Sequence, residues 1–90
     1  MTSTSSPDRV RILVVDDDAA SRDVVSETLQ REGHFVATAD GANSALTAHL
    51  RSCFDIIVSD IRMPGKDGLE LLAMLQEDDS PPLVILITGF

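Results

Sequence analysis

Asp16, Asp17 and Asp60 are the residues of this chain best placed to do chemistry. Asp16-Asp17-Asp18 follows the apolar run Arg11–Val15, and Ser59-Asp60 follows the run Phe54–Val58. Thr88-Gly89 closes another such run, Leu83–Ile87. Taken singly, an Asp triplet is a helix cap with a solvated turn, and Asp60 is a turn residue ahead of Pro64-Gly65. Thr88 alone is ordinary strand chemistry. Their conjunction changes the reading, because parallel neighbouring strands bring their carboxyl ends together. Three convergent carboxylates repel one another, and a divalent cation relieves that repulsion directly. Mg2+ takes one or two carboxylates, several waters and phosphate oxygens. A carboxylate beside such an ion can act as a nucleophile toward phosphorus, while the ion offsets charge on the phosphoryl group in transit.

Such a pocket needs elements that hold it. Four short runs, Arg11–Val15, Phe35–Ala39, Phe54–Val58 and Leu83–Ile87, are β-branched or nearly uniformly apolar. Runs that are apolar on both faces suit strands buried on both sides, as in a parallel sheet. Between them lie helical patterns. From Ala19 to Glu32 the stripe is Val24, Val25, Thr28 and Leu29, with Asp18 as N-cap and Gly33 as the stop. From Ala42 to Arg51 it is Ala45, Leu46, His49 and Leu50. From Asp67 to Glu77, Leu69, Leu72, Ala73 and Gln76 share one side, and Leu71, Met74 and Leu75 broaden it. Ser80-Pro81-Pro82 ends that helix. The order β-α-β-α-β-α-β predicts an α/β fold with right-handed crossovers. A flavodoxin-like doubly wound parallel sheet, in the order 2-1-3-4, sets the first and third strands side by side, with Asp16, Asp17 and Asp60 at the shared end.

Composition narrows the function classes. The formal charge of -8 makes this segment a poor nucleic-acid binder and favours cationic partners, metal ions included. Cys53 is the only cysteine, so no internal disulfide forms and a reducing compartment fits. Its simplest role is that of a small buried or half-buried apolar residue. Leu83–Ile87 is far too short to span a bilayer, and the Ser/Thr-rich start lacks an apolar signal region. The expectation is a flexible leader over residues 1–8 and one cytoplasmic domain over 9–90. His34 and His49 are expected at a turn and on a helix surface, and no Walker-type phosphate loop occurs.

The segments Val14-Val15-Asp16-Asp17, Ser59-Asp60-Ile61-Arg62-Met63-Pro64-Gly65-Lys66-Asp67-Gly68 and Ile87-Thr88-Gly89 resemble the receiver domain of two-component response regulators. The resemblance covers essentially all of the chain after the leader. The Asp60–Gly68 wording and the terminal Ile-Thr-Gly-Phe are most similar to the NtrC-like subclass. It implies that Asp60 is the phosphoacceptor and that Asp17 is a direct Mg2+ ligand. Asp16 is implied to act through water, and the backbone carbonyl of Arg62 to be the third protein ligand. Asp60 completes the metal set, and Thr88 is the hydroxyl that turns toward the phosphoryl group. Pro64, Gly65 and Gly68 shape the loop. The implied partner is a sensor histidine kinase, and the implied output is transcription.

The family pattern continues through a further helix, strand and helix, with a lysine at the fifth strand that Lys66 does not match. Within these residues the fourth strand is expected to be an apolar edge prone to self-association. Two other classes compete. A Mg2+-dependent phosphatase with an Asp nucleophile needs Asp-x-Asp-x-Thr after the first strand, and Asp16-Asp17-Asp18-Ala19-Ala20 lacks the Thr. A receiver-like interaction domain that is never phosphorylated has no need of the acidic set and Thr88. Turnover of an external substrate is not expected.

Overall fold

The computed structural model describes residues 10–60, 68–77 and 81–87. Among these residues, seven elements follow one another: β1 (Arg11–Val15), α1 (Ala19–Arg31), β2 (Phe35–Ala39), α2 (Ala42–Ser52), β3 (Ile56–Asp60), α3 (Gly68–Leu75) and β4 (Leu83–Ile87). The strands form one parallel sheet in the order β2-β1-β3-β4. This is the expected doubly wound architecture. β1, β2 and β4 coincide with their apolar runs. β3 begins two residues later than its run, because Phe54 is folded under the end of α2 while Asp60 is drawn into the ladder opposite Ile87.

Alternation along each strand gives the sheet two faces. Leu13, Val15, Ala39 and Ile57 face one side, where they pack with Ala42 and Ala45 of α2, Phe54, and Leu71 and Leu75 of α3. Fully burying an aliphatic side chain contributes about 1.5–3 kcal/mol, so Leu13, Ile57, Leu71 and Leu75 are the principal cement of this layer. Ile12 and Val14 point the other way and are also buried. α1 packs on β1 and β2. Further along that face, Leu83, Ile85 and Ile87 are 61%, 45% and 43% exposed.

The inward sides of the helices keep part of the predicted stripes and depart from them at particular residues. In α1, Val24 and Thr28 are exposed, Ser26 is buried, and Arg22, Val25 and Leu29 are half-buried. The inward stripe is thus Arg22, Val25, Ser26 and Leu29, at i, i+3, i+4 and i+7. A small serine lets the helix lie close to the sheet. In α2, Ala45, Leu46 and His49 of the expected stripe turn inward, His49 only 3% exposed although a helix-surface place is also expected for it, while Leu50 is 74% exposed. The reason is a hydrogen bond: Phe54 N–H donates to His49 Nδ1 at 3.1 Å. In α3 the core side is Leu71, Met74 and Leu75, whereas Ala73 and Gln76 are exposed.

Local chemistry fixes the helix ends. Asp18 caps α1, accepting from Ser21 N–H at 3.0 Å and from the Ser21 hydroxyl at 2.7 Å. Gly33 has φ of +93°, a backbone state that glycine adopts without penalty, so it stops α1 as predicted. At the amino end of the sheet, the Arg11 guanidinium lies 4.5 Å from the Phe35 ring centroid and 5.5 Å from that of Phe54. It also donates to the carbonyls of Cys53 and Ser52, closing the C-terminus of α2. Among the described residues, no helix is long and apolar enough to cross a membrane.

Candidate functional site

The site lies at the carboxyl end of the sheet, at the switch point where α/β folds bind ligands. Val15 of β1 pairs with Ser59 of β3, so the next residue of each strand, Asp16 and Asp60, stands beside the other. Asp17 follows on the β1–α1 loop. One carboxylate oxygen from each of Asp16, Asp17 and Asp60 lies within 4.8 Å of the other two. Asp16 and Asp60 are half-buried, and Asp17 is exposed. The structure therefore brings together the three carboxylates that the sequence singled out. Arg62, Pro64, Gly65, Lys66 and Thr88 lie outside the described residues, as do residues 1–9.

Main-chain bonds hold the acidic loop. Asp16 N–H donates to Ala39 C=O of β2 at 3.1 Å, and the Arg22 guanidinium of α1 donates to Asp16 C=O at 2.8 Å. Asp18 N–H donates to Asp16 Oδ1 at 3.0 Å, so the loop folds back on its first carboxylate. The Ser21 hydroxyl, and then the Ser21 N–H, hold the Asp18 carboxyl below its ordinary acidity range, with a smaller contribution from Arg22. Asp18 is thus committed to capping α1, and the other two acids of the triplet are left for the cluster. Under Asp60, the fully buried Ser59 donates its hydroxyl to Asp60 C=O at 3.0 Å.

The size and donor set of the cluster fit a hard divalent cation. Mg2+–oxygen bonds of 2.0–2.1 Å place opposite ligands of an octahedron about 4.2 Å apart. Carboxylate oxygens within 4.8 Å of one another are close enough to share one such ion. Sequence reasoning missed Arg22. Its signal was a cation in the opening turns of a helix, where the macrodipole disfavours positive charge.

The match to known proteins agrees with this geometry. The family model of the response regulator receiver domain matches residues 12–90, and the chain belongs to that family. It is a receiver domain of two-component response regulators. Among its relatives is the C4-dicarboxylate transport transcriptional regulatory protein DctD of Pseudomonas aeruginosa, 46% identical over 81 residues. That alignment covers 90% of this chain and 18% of DctD, so the chain spans less than a fifth of that relative's length.

Two solved structures are close in fold. The response regulator TrrA of Thermotoga maritima, in complex with Mg2+–BeF, has a TM-score of 0.83 at 36% identity, covering 89% of this chain and 70% of TrrA. TrrA in complex with the histidine kinase ThkA has a TM-score of 0.81 at 36% identity, covering 89% and 69%. Family membership selects the signalling module over the Asp-nucleophile phosphatase.

Proposed function

We propose that Asp60 accepts a phosphoryl group from a phosphohistidine of a sensor kinase, in a Mg2+-dependent transfer that regulates an attached or partner output, most naturally transcription. What carries this reading is the convergence of three carboxylates within 4.8 Å at the ends of two adjacent parallel strands. The TrrA complexes and the transcriptional role named for DctD support the metal, the kinase and the output in turn. In the transfer, a carboxylate oxygen of Asp60 bonds to phosphorus as the phosphorus–nitrogen bond breaks. The electron pair of that bond returns to the imidazole of the kinase. Asp16, Asp17, Asp60 and the Arg62 carbonyl are the proposed holders of Mg2+, which when bound offsets charge on the phosphoryl group.

The chain's own residues supply the positioning. β3 holds Asp60 in the ladder, and Ser59 fixes the carbonyl behind it. Thr88, just past β4, is the proposed switch hydroxyl. The receiver unit is assigned to residues 9–90, in line with the family match from 12 onward. Its placement in the cytoplasm follows from the kinase it would serve. Self-association through β4 and the absence of direct nucleic-acid binding belong to the same proposal.

The test is to incubate the chain with Mg2+ and acetyl phosphate, then to map the phosphoryl group by mass spectrometry after reductive trapping. Modification at Asp60, lost in Asp60→Asn, is the expected result. Modification elsewhere, or steady turnover of a phosphate ester, overturns the assignment.

A further inference from the structure

We infer that Arg22 is a positioning residue for the metal-binding carboxylates, acting through the main chain of Asp16. The inference rests on the proposed reading of the acidic cluster. Arg22 sits on the inward stripe of α1, half-buried, although that stripe is otherwise Val25, Ser26 and Leu29. A guanidinium in the opening turns of a helix stands against the macrodipole and is partly desolvated there, so its placement needs a compensating partner. The partner is Asp16 C=O, at 2.8 Å. With Asp16 N–H donating to Ala39 C=O, the residue is held on one side by β2 and on the other by α1.

The consequence is specific to the loop. Asp16 is the hinge between the rigid ladder of β1 and the exposed Asp17. Releasing its carbonyl lets the peptide plane between Asp16 and Asp17 rotate, and that rotation moves the Asp17 carboxylate relative to Asp60. Supporting contacts that orient metal ligands commonly matter about as much as a tenfold change in affinity. A cavity of about 320 Å3, lined by Arg22, Thr38, Ala39, Asp40 and Ser44, adjoins the side chain. A replacement of similar length therefore fits without displacing α1.

The experiment is isothermal titration of the chain with Mg2+, for wild type, Arg22→Met, Arg22→Lys and Asp17→Asn. Acetyl phosphate labelling is followed in parallel as Mg2+ is varied. Arg22→Met is expected to weaken Mg2+ binding about tenfold. It should raise the Mg2+ concentration for half-maximal labelling equally, and leave the rate at saturating Mg2+ unchanged. Arg22→Lys, whose ammonium can still donate to the Asp16 carbonyl, is expected to recover most of the affinity. Equal Mg2+ affinity in wild type and Arg22→Met overturns the inference, even if the variant melts earlier, because Arg22 is then only a structural brace. A fall in the saturated rate without a change in Mg2+ dependence overturns it as well. Should wild type and Asp17→Asn bind Mg2+ alike, the proposed site itself fails, and the inference falls with it.

Discussion

His49 Nδ1 accepts the N–H of Phe54 at 3.1 Å in the buried layer between α2 and the sheet, and the two rings lie with centroids 6.4 Å apart. The bond ties the last turn of α2 to the residue that leads into β3. Replacing His49 by Leu keeps the bulk but leaves the buried Phe54 N–H without this acceptor. Leaving one buried donor unsatisfied costs about 1–3 kcal/mol. Chemical denaturation of His49→Leu should show a loss in that range, and an unchanged midpoint would remove the hydrogen bond from the list of what holds α2.

Cys53 follows α2 with φ of +44° and ψ of 116°, a combination unusual for a residue with a Cβ. Its side chain is exposed, not buried or half-buried as the sequence suggests, because the residue caps the end of α2, so little packing is at stake. Cys53→Gly is expected to stabilise the fold by about 0.5–1 kcal/mol, because relief of the strained angle outweighs the added freedom of the unfolded chain. Cys53→Val should do the opposite. A comparison of the two by thermal melting decides it.

The acidic cluster sets metal binding against stability. Without a cation, three carboxylate oxygens within 4.8 Å repel one another. Asp17→Asn should raise the melting temperature in chelator, by the equivalent of about 1 kcal/mol for a pair of exposed charges near 4 Å. In Mg2+ the order should invert, since wild type gains binding energy that the variant lacks. Two melting curves per protein, with and without Mg2+, are enough; parallel behaviour in both conditions would speak against a shared ion.

Asp18 makes a predictable contribution to pH dependence. The Ser21 hydroxyl and N–H lower its pKa in the folded state, so the folded chain binds that proton less readily than the unfolded chain does. The stabilisation is complete above the ordinary carboxylate range and disappears as pH falls through the lowered folded value, below about pH 4. Asp18→Asn keeps the cap and removes the titration. Its acid unfolding should be less steep than that of wild type when followed by circular dichroism.

β4 contains no charged residue, and its outward side chains Leu83, Ile85 and Ile87 are all exposed. It is also the outer strand among the described residues. The chain should therefore associate as concentration rises, and Ile85→Lys should reduce that association. Size-exclusion chromatography with light scattering will report both, and a monomeric wild type at high concentration would contradict the expectation.

The strands and the acidic site were legible in the sequence because both depend on simple rules. Buried parallel strands demand uninterrupted apolar runs, and ligands gather where those runs end. The orientation of the helices was harder to read. Counting only apolar residues placed Val24 and Leu50 inside, whereas Ser26 and His49 occupy the buried positions. Serine does so by being small, and His49 by accepting a backbone N–H. Arg22 escaped notice for a related reason. Its partner is the carbonyl of Asp16, a group that every residue carries and no side-chain pattern announces.

The pairing of Asp60 with Ile87 has a mechanical side. β3 is an interior strand, laddered to β1 on one side and to β4 on the other, and Asp60 is its last residue, set opposite Ile87 of β4. Any small slip of β4 along its axis is transmitted to the residue opposite Ile87, with no loop in between to absorb it. Stress arriving at Asp60 passes outward along the same ladder. The acidic cluster and the outer strand are thus two ends of one short, rigid lever.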